Sequence, residues 1–128
     1  NIKRVTDLAE QGVDPLAYRL LLLGTRERSE MEFSWEALEG QHRRLVELRR
    51  RMAAWGGPAA GLGEQAEVFD ARFREAVADD LDMPRALVVL NETVSSSLPE
   101  DERYTLLASW DRVLGLDLER EARELRLV

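Results

Sequence analysis

A chain of 128 residues is long enough to bury one real core, and 45% apolar against 34% charged residues excludes a disordered segment. The formal charge of −7 excludes a surface that attracts nucleic acid as a whole, so any RNA contact has to be a local patch. The lack of cysteine excludes disulfides, thiolate zinc sites and cysteine nucleophiles, and no membrane-length apolar run or signal-peptide pattern is present.

Abundant Leu, Ala, Arg and Glu favour helix over sheet, and the expectation is a soluble, cytoplasmic, all-α domain: a single antiparallel bundle of about five to six helices. Ile2, Val5, Leu8 and Ala9 recur at helical spacing, predicting a short helix over 2–11 that Gly12 ends. Asp14 offers an acceptor to orphan amides and Pro15 suits a first helical position, restarting the chain into "LAYRLLLLG", a buried helix reaching towards Arg28. Ser34 is placed to cap the next helix, with Phe33 stapled onto Leu38. Trp35, Leu38, Leu45, Leu48, Met52 and Trp55 form its apolar stripe over 35–55. "GGPAAGLG", residues 56–63, reads as a loop between two helical halves.

A helix over 63–81 follows, with Ala66, Phe69, Phe73 and Val77 down one side. Asp82 and Pro84 restart the chain into a buried helix, "RALVVLNETVSS". Ser97 with Glu100 matches a capping box for a helix carrying Tyr104, Leu106, Leu107, Trp110, Val113 and Leu114, which Gly115 ends. Asp117 is expected to cap a last charged helix, "LEREARELRLV".

No nucleophile with its base, metal-ligand spacing or phosphate loop emerges, so no catalytic residue and no metal ligand is assigned. His42, the single histidine, reads as solvated or RNA-facing, and Asp79, Asp80 and Asp82 read as a helix end plus cap rather than a cation loop. The basic run is more informative. Residues 42–52 hold Arg43, Arg44, Arg49, Arg50 and Arg51 against Glu47 alone, whereas residues 64–82 carry seven acids against Arg72 and Arg74, so the molecule should be electrically polarised. Two readings stand for the arginines: a solvated helix face with a Glu47–Arg51 pair, or contact with phosphates through the bidentate guanidinium fork. Trp35 and Trp110 read as core, while Trp55, beside glycines and the basic run, is left open as a base-stacking side chain.

In order, "GVDPLAYRLLLL", "FSWEAL", "AVADDLDMPRALVVL" and "VLGLDL" resemble the region that follows the catalytic core of cysteinyl-tRNA synthetases, over nearly the whole chain. Asp14, Ala17 and Arg19 sit where that helical domain carries its Asp-Ala-Leu-Arg type signature, although the residues between them differ. Asp80, Leu81, Pro84, Ala86 and Leu87 match the family's Asp-Asp-Leu-Asn-Thr-Pro and Ala-Leu pattern, with Asp82 and Met83 in place of Asn and Thr. The resemblance implies that residues 1–13 are a linker and short helix just past the mobile ATP-binding loop, and that 14–128 form the helical tRNA-binding bundle. It further implies that ATP and zinc belong to the longer parent and that this segment needs no cofactor. Its partners would be its own catalytic domain and tRNA(Cys), the latter held weakly, in a salt-sensitive way and by position rather than by anticodon reading. The ligase that joins cysteine to an amino sugar in mycothiol synthesis resembles the chain too, and a stand-alone helical interaction domain is a third reading.

Overall fold

A computed structural model of the chain describes residues 10–25 and 34–126, of which Arg126 by its backbone alone. Among these residues there are six helices and no strand, in agreement with the all-α expectation: α1 (Leu16–Leu23), α2 (Trp35–Trp55), α3 (Glu64–Ala78), α4 (Met83–Val94), α5 (Glu100–Leu114) and α6 (Leu118–Arg126). Most of the helix expected over 2–11, the stretch towards Arg28 and the Phe33 staple lie outside the described residues.

The helix ends follow mostly from local chemistry. Asp14 accepts the Leu16 amide at 2.9 Å, and the Pro15 backbone is already helical. Gly24 closes α1 at Leu23, where the Thr25 hydroxyl takes the Leu21 carbonyl at 2.8 Å. Ser34 caps α2 by accepting the Ala37 amide at 3.1 Å, as its spacing predicts. α3 stops at Ala78 instead of running to Leu81, because Asp80 and Leu81 take left-handed backbone conformations with φ of 52° and 54°. Asp82 then caps α4 through the Arg85 amide at 3.2 Å, with Pro84 in the first turn.

Two expected caps are made by other residues. Helix α5 begins at Glu100 behind Pro99, with no side-chain cap, so Ser97 and Glu100 form no capping box. Ser96 instead accepts the Leu98 amide, while Glu100, Asp101 and Glu102 face the positive end of the α5 dipole. Asp111, not Asp117, serves the start of α6: its carboxylate accepts the Leu116 amide at 2.7 Å and the Leu118 amide at 2.9 Å. Asp117 sits at φ 55° and gives its carboxylate to Arg120. Gly115, at φ 66°, makes the left-handed turn after α5.

α2 packs chiefly against α6 and α1, and α3 against α4. The main core gathers Leu45, Leu48 and Met52 of α2, Phe73, Leu90, Tyr104, Leu107 and Leu114, closed by Leu116, Leu118 and Ala122. Trp110 is 2% exposed, stacks on Phe73 with ring centroids 4.4 Å apart and donates its indole N–H to Asp70 at 2.9 Å. A smaller cluster of Val13, Ala17 and Leu38, flanked by Tyr18, Leu21 and Trp35, seals α1 onto α2.

Candidate nucleic-acid interface

Helix α2 carries both the main core stripe and the basic run, so its rotation decides which arginines reach solvent. Leu45, Leu48 and Met52 turn inward, which leaves Arg43, Arg50 and Arg51 exposed and Arg44 half-buried along the opposite arc. Arg51 pairs with Glu47 at 3.3 Å, both side chains about half exposed, the four-residue pair its spacing predicts. Arg43, Arg44 and Arg50 form no ion pair with the described residues. Burial pushes the Arg44 guanidinium below its ordinary value. The acids of α3 are separate: Glu64, Glu67 and Glu75 are exposed on that helix, so the two charge runs occupy different elements.

Arg49 departs from the solvent-facing set. It is 6% exposed, its Nη1 donates to the Asp14 carboxylate at 2.7 Å and its Nη2 donates to the Leu116 carbonyl at 2.9 Å. The physical reason is its register. Arg49 stands four residues after Leu45 and three before Met52, steps that keep a residue on the inward stripe. Its guanidinium therefore holds α1 to the α5–α6 turn, where phosphate cannot reach it.

The signature residues fall into the same framework. Ala17 is fully buried against Leu38, where a larger side chain would separate α1 from α2. Arg19 donates through Nε to the Leu114 carbonyl and through Nη2 to the Val113 carbonyl at 3.4 Å, satisfying acceptors that the end of α5 leaves open. Burial raises the Asp14 carboxyl, but the Arg49 hydrogen bond, the Leu16 amide and the charges of Arg49 and His42 outweigh it and hold the group below its ordinary value. In the second motif, Asp80 and Leu81 form the left-handed turn, Pro84 opens α4, Ala86 is fully buried and Leu87 packs partly against the core.

The remaining candidates have structural tasks. His42 is half-buried rather than simply solvated, and its Nδ1 accepts the Asp14 amide at 3.1 Å. Trp55, left open as a stacking platform, lies under the Arg103 guanidinium at 5.1 Å, and Arg103 also donates to the Leu98 and Val94 carbonyls. Asp79 pairs with Arg85 at 3.2 Å, and among the described residues no cluster of metal-ligating side chains occurs. In the 56–63 loop the Ala59 and Gly63 amides donate to Thr105 and Glu102. Sequence reasoning missed Asp111 and Arg103, because each reaches backbone groups whose positions depend on the folded turns.

These elements define an all-α module in which the buried Arg49 and the more exposed Arg19 and Arg103 fasten the helices and an arc of α2 presents guanidinium groups outward. No family model matches the chain. Cysteine–tRNA ligase 1 of Burkholderia lata is 42% identical over 115 residues, 90% of this chain and 24% of the relative. Cysteine–tRNA ligase of Novosphingobium aromaticivorans is 38% identical over 133 aligned residues, 97% of this chain and 26% of the relative. The L-cysteine:1D-myo-inositol 2-amino-2-deoxy-α-D-glucopyranoside ligase of Cellulomonas flavigena is 40% identical over 98 residues, 77% of this chain and 22% of the relative. The chain is thus a homologue of a segment shared by cysteine–tRNA ligases and these cysteine–amino-sugar ligases, and it spans about a quarter of their length.

Proposed function

We propose that the chain is the helical tRNA-contacting part of a cysteine–tRNA ligase, holding tRNA(Cys) by its backbone while a catalytic part outside this segment performs ATP-dependent cysteinylation in the cytoplasm. One observation carries the reading: the homology to cysteine–tRNA ligases covers the helix whose outer arc presents Arg43, Arg44, Arg50 and Arg51. Guanidinium groups donate two parallel hydrogen bonds to phosphate oxygens, and such contacts fix register without reading sequence. The lock formed by Asp14, Arg19 and Arg49 ties the start of α1 to α2 and to the α5–α6 turn, which supports a fixed orientation of that arc relative to α1.

Zinc does not fit the residues present. The chain has no cysteine and one histidine, whose Nδ1 is engaged by the Asp14 amide, so a zinc site would belong with the rest of such a ligase. The cysteine–amino-sugar ligases match the same chain over 77% and 92% of its length, which supports a helical framework common to both kinds of ligase.

Binding of a tRNA(Cys) transcript to the chain and to the R43Q/R44Q/R50Q/R51Q variant tests the reading. The variant is expected to bind at least about tenfold more weakly. Equal affinities would sink the assignment and leave the amino-sugar ligase as the better reading.

A further inference from the structure

Arg44 differs from its exposed neighbours. It lines a groove of about 210 Å³ between α2 and the end of α4, together with Glu47, Leu48, Arg51, Asn91, Val94 and Ser95. Leu48 and Val94, 3% and 8% exposed, form an apolar floor, and Arg44 and Arg51 line the groove from α2. Asn91 and Ser95 face them from α4. A half-buried guanidinium with no carboxylate partner among the described residues is a desolvated charge that an anion would compensate. An apolar floor and neutral hydrogen-bonding groups beside that charge suit something larger than an inorganic ion.

We propose that this groove is a nucleotide seat: one phosphodiester of an RNA strand lies between Arg44 and Arg51, with its sugar and base over Leu48 and Val94 beside Asn91 and Ser95. The polarity across the groove fixes the orientation. α4 ends at Val94, so the negative end of its dipole favours hydroxyl and amine donors on that side and leaves phosphate to the arginines. Glu47 at the rim pairs with Arg51 and is 58% exposed, and its carboxylate can accept a ribose 2′-hydroxyl, a group that DNA lacks. The seat rests on the RNA-contacting function proposed above and adds to it a concave point of attachment distinct from Arg43 and Arg50.

The test compares charge removal inside and outside the groove with plugging it. Affinity for a tRNA(Cys) transcript and for the DNA strand of the same sequence is measured by fluorescence anisotropy, with thermal melts as a folding control. Arg44→Gln and the uncharged plug Ser95→Phe are each expected to weaken RNA binding about tenfold, whereas Arg43→Gln and Arg50→Gln cost roughly two- to threefold. Asn91→Phe, at an exposed helical position, is the second plug if Ser95→Phe lowers the melting midpoint. A folded plug variant that binds RNA as the wild type does, while all the arginines count alike, overturns the seat and leaves the surface patch standing. Wild-type protein that binds no RNA overturns both, and equal affinity for RNA and DNA overturns the assignment of the 2′-hydroxyl to Glu47.

Discussion

Replacing Asp14 tests whether the buried arginine lock holds the bundle together. Removing one partner of a buried ion pair costs about 3–5 kcal/mol, because the other charge is left desolvated. The Arg49 side chain is 7% exposed and that of Asp14 is 25% exposed, and water near Asp14 lowers the expected loss to about 2–3 kcal/mol. Asp14→Asn keeps an acceptor for the Leu16 amide and reports this charge effect; Asp14→Ala also removes the cap, adding about 1 kcal/mol. Arg49→Met should cost less, about 1–2 kcal/mol, because the aliphatic stem is kept and the Arg49 Nε is buried with no hydrogen-bond partner in the wild type. Urea unfolding of both single variants and the double variant supplies the coupling, expected at about 1–2 kcal/mol. Asp14→Ala within about 0.5 kcal/mol of wild type, or strict additivity of Asp14→Asn and Arg49→Met, would refute the reasoning.

Four further outcomes follow from the same geometry. The Asp14 carboxyl is held below the about 3.9 of an unfolded aspartate, so its contribution is complete above that value and is lost as pH falls through the lower folded one; melts of Asp14→Asn should show a flatter acid limb than wild type below about pH 4. At Gly115, with φ 66°, an added Cβ would stand 2.9 Å from the Arg19 Nε, so alanine should cost about 2 kcal/mol, against about 1 at Gly56, whose φ is 95° but whose surroundings are open; equal losses in the melts would remove Arg19 from the explanation. Asp111→Ala unties two amides and should lower stability by about 2–3 kcal/mol in urea unfolding, an unchanged midpoint showing that water replaces the carboxylate. Trp110→Phe keeps a ring on Phe73 but loses the Asp70 hydrogen bond, for about 1–2 kcal/mol by thermal melt, whereas Trp110→Ala should cost about 3–5.

What the sequence reveals depends on how local the cause is. α2 is legible from end to end, because Ser34, the apolar stripe and the glycines at its close act within a few residues. Asp82 with Pro84 is legible for the same reason. The end of α3 is not, since two left-handed non-glycine residues stop it: aspartate tolerates that conformation but is as common elsewhere, and Leu81 does not signal it by type. Arg49 carries a local clue in its four- and three-residue steps from Leu45 and Met52, but its partner Asp14 is 35 residues away and only the folded bundle brings them together. Pairing of Trp55 with Arg103 and of Asp111 with the α6 amides likewise needs the tertiary turns. The exposed arginines are visible in the sequence as a charge run; the groove beside Arg44 exists only once α4 is laid against α2.

The salt dependence of tRNA(Cys) binding probes the proposed role most directly. Each phosphate contact contributes about 0.7–0.9 to the slope of log affinity against log salt, so removing Arg43, Arg44, Arg50 and Arg51 together, with Arg44 and Arg51 sharing one phosphate, should flatten that slope by about 2–3. A variant with the wild-type slope and affinity would contradict tRNA contact through α2.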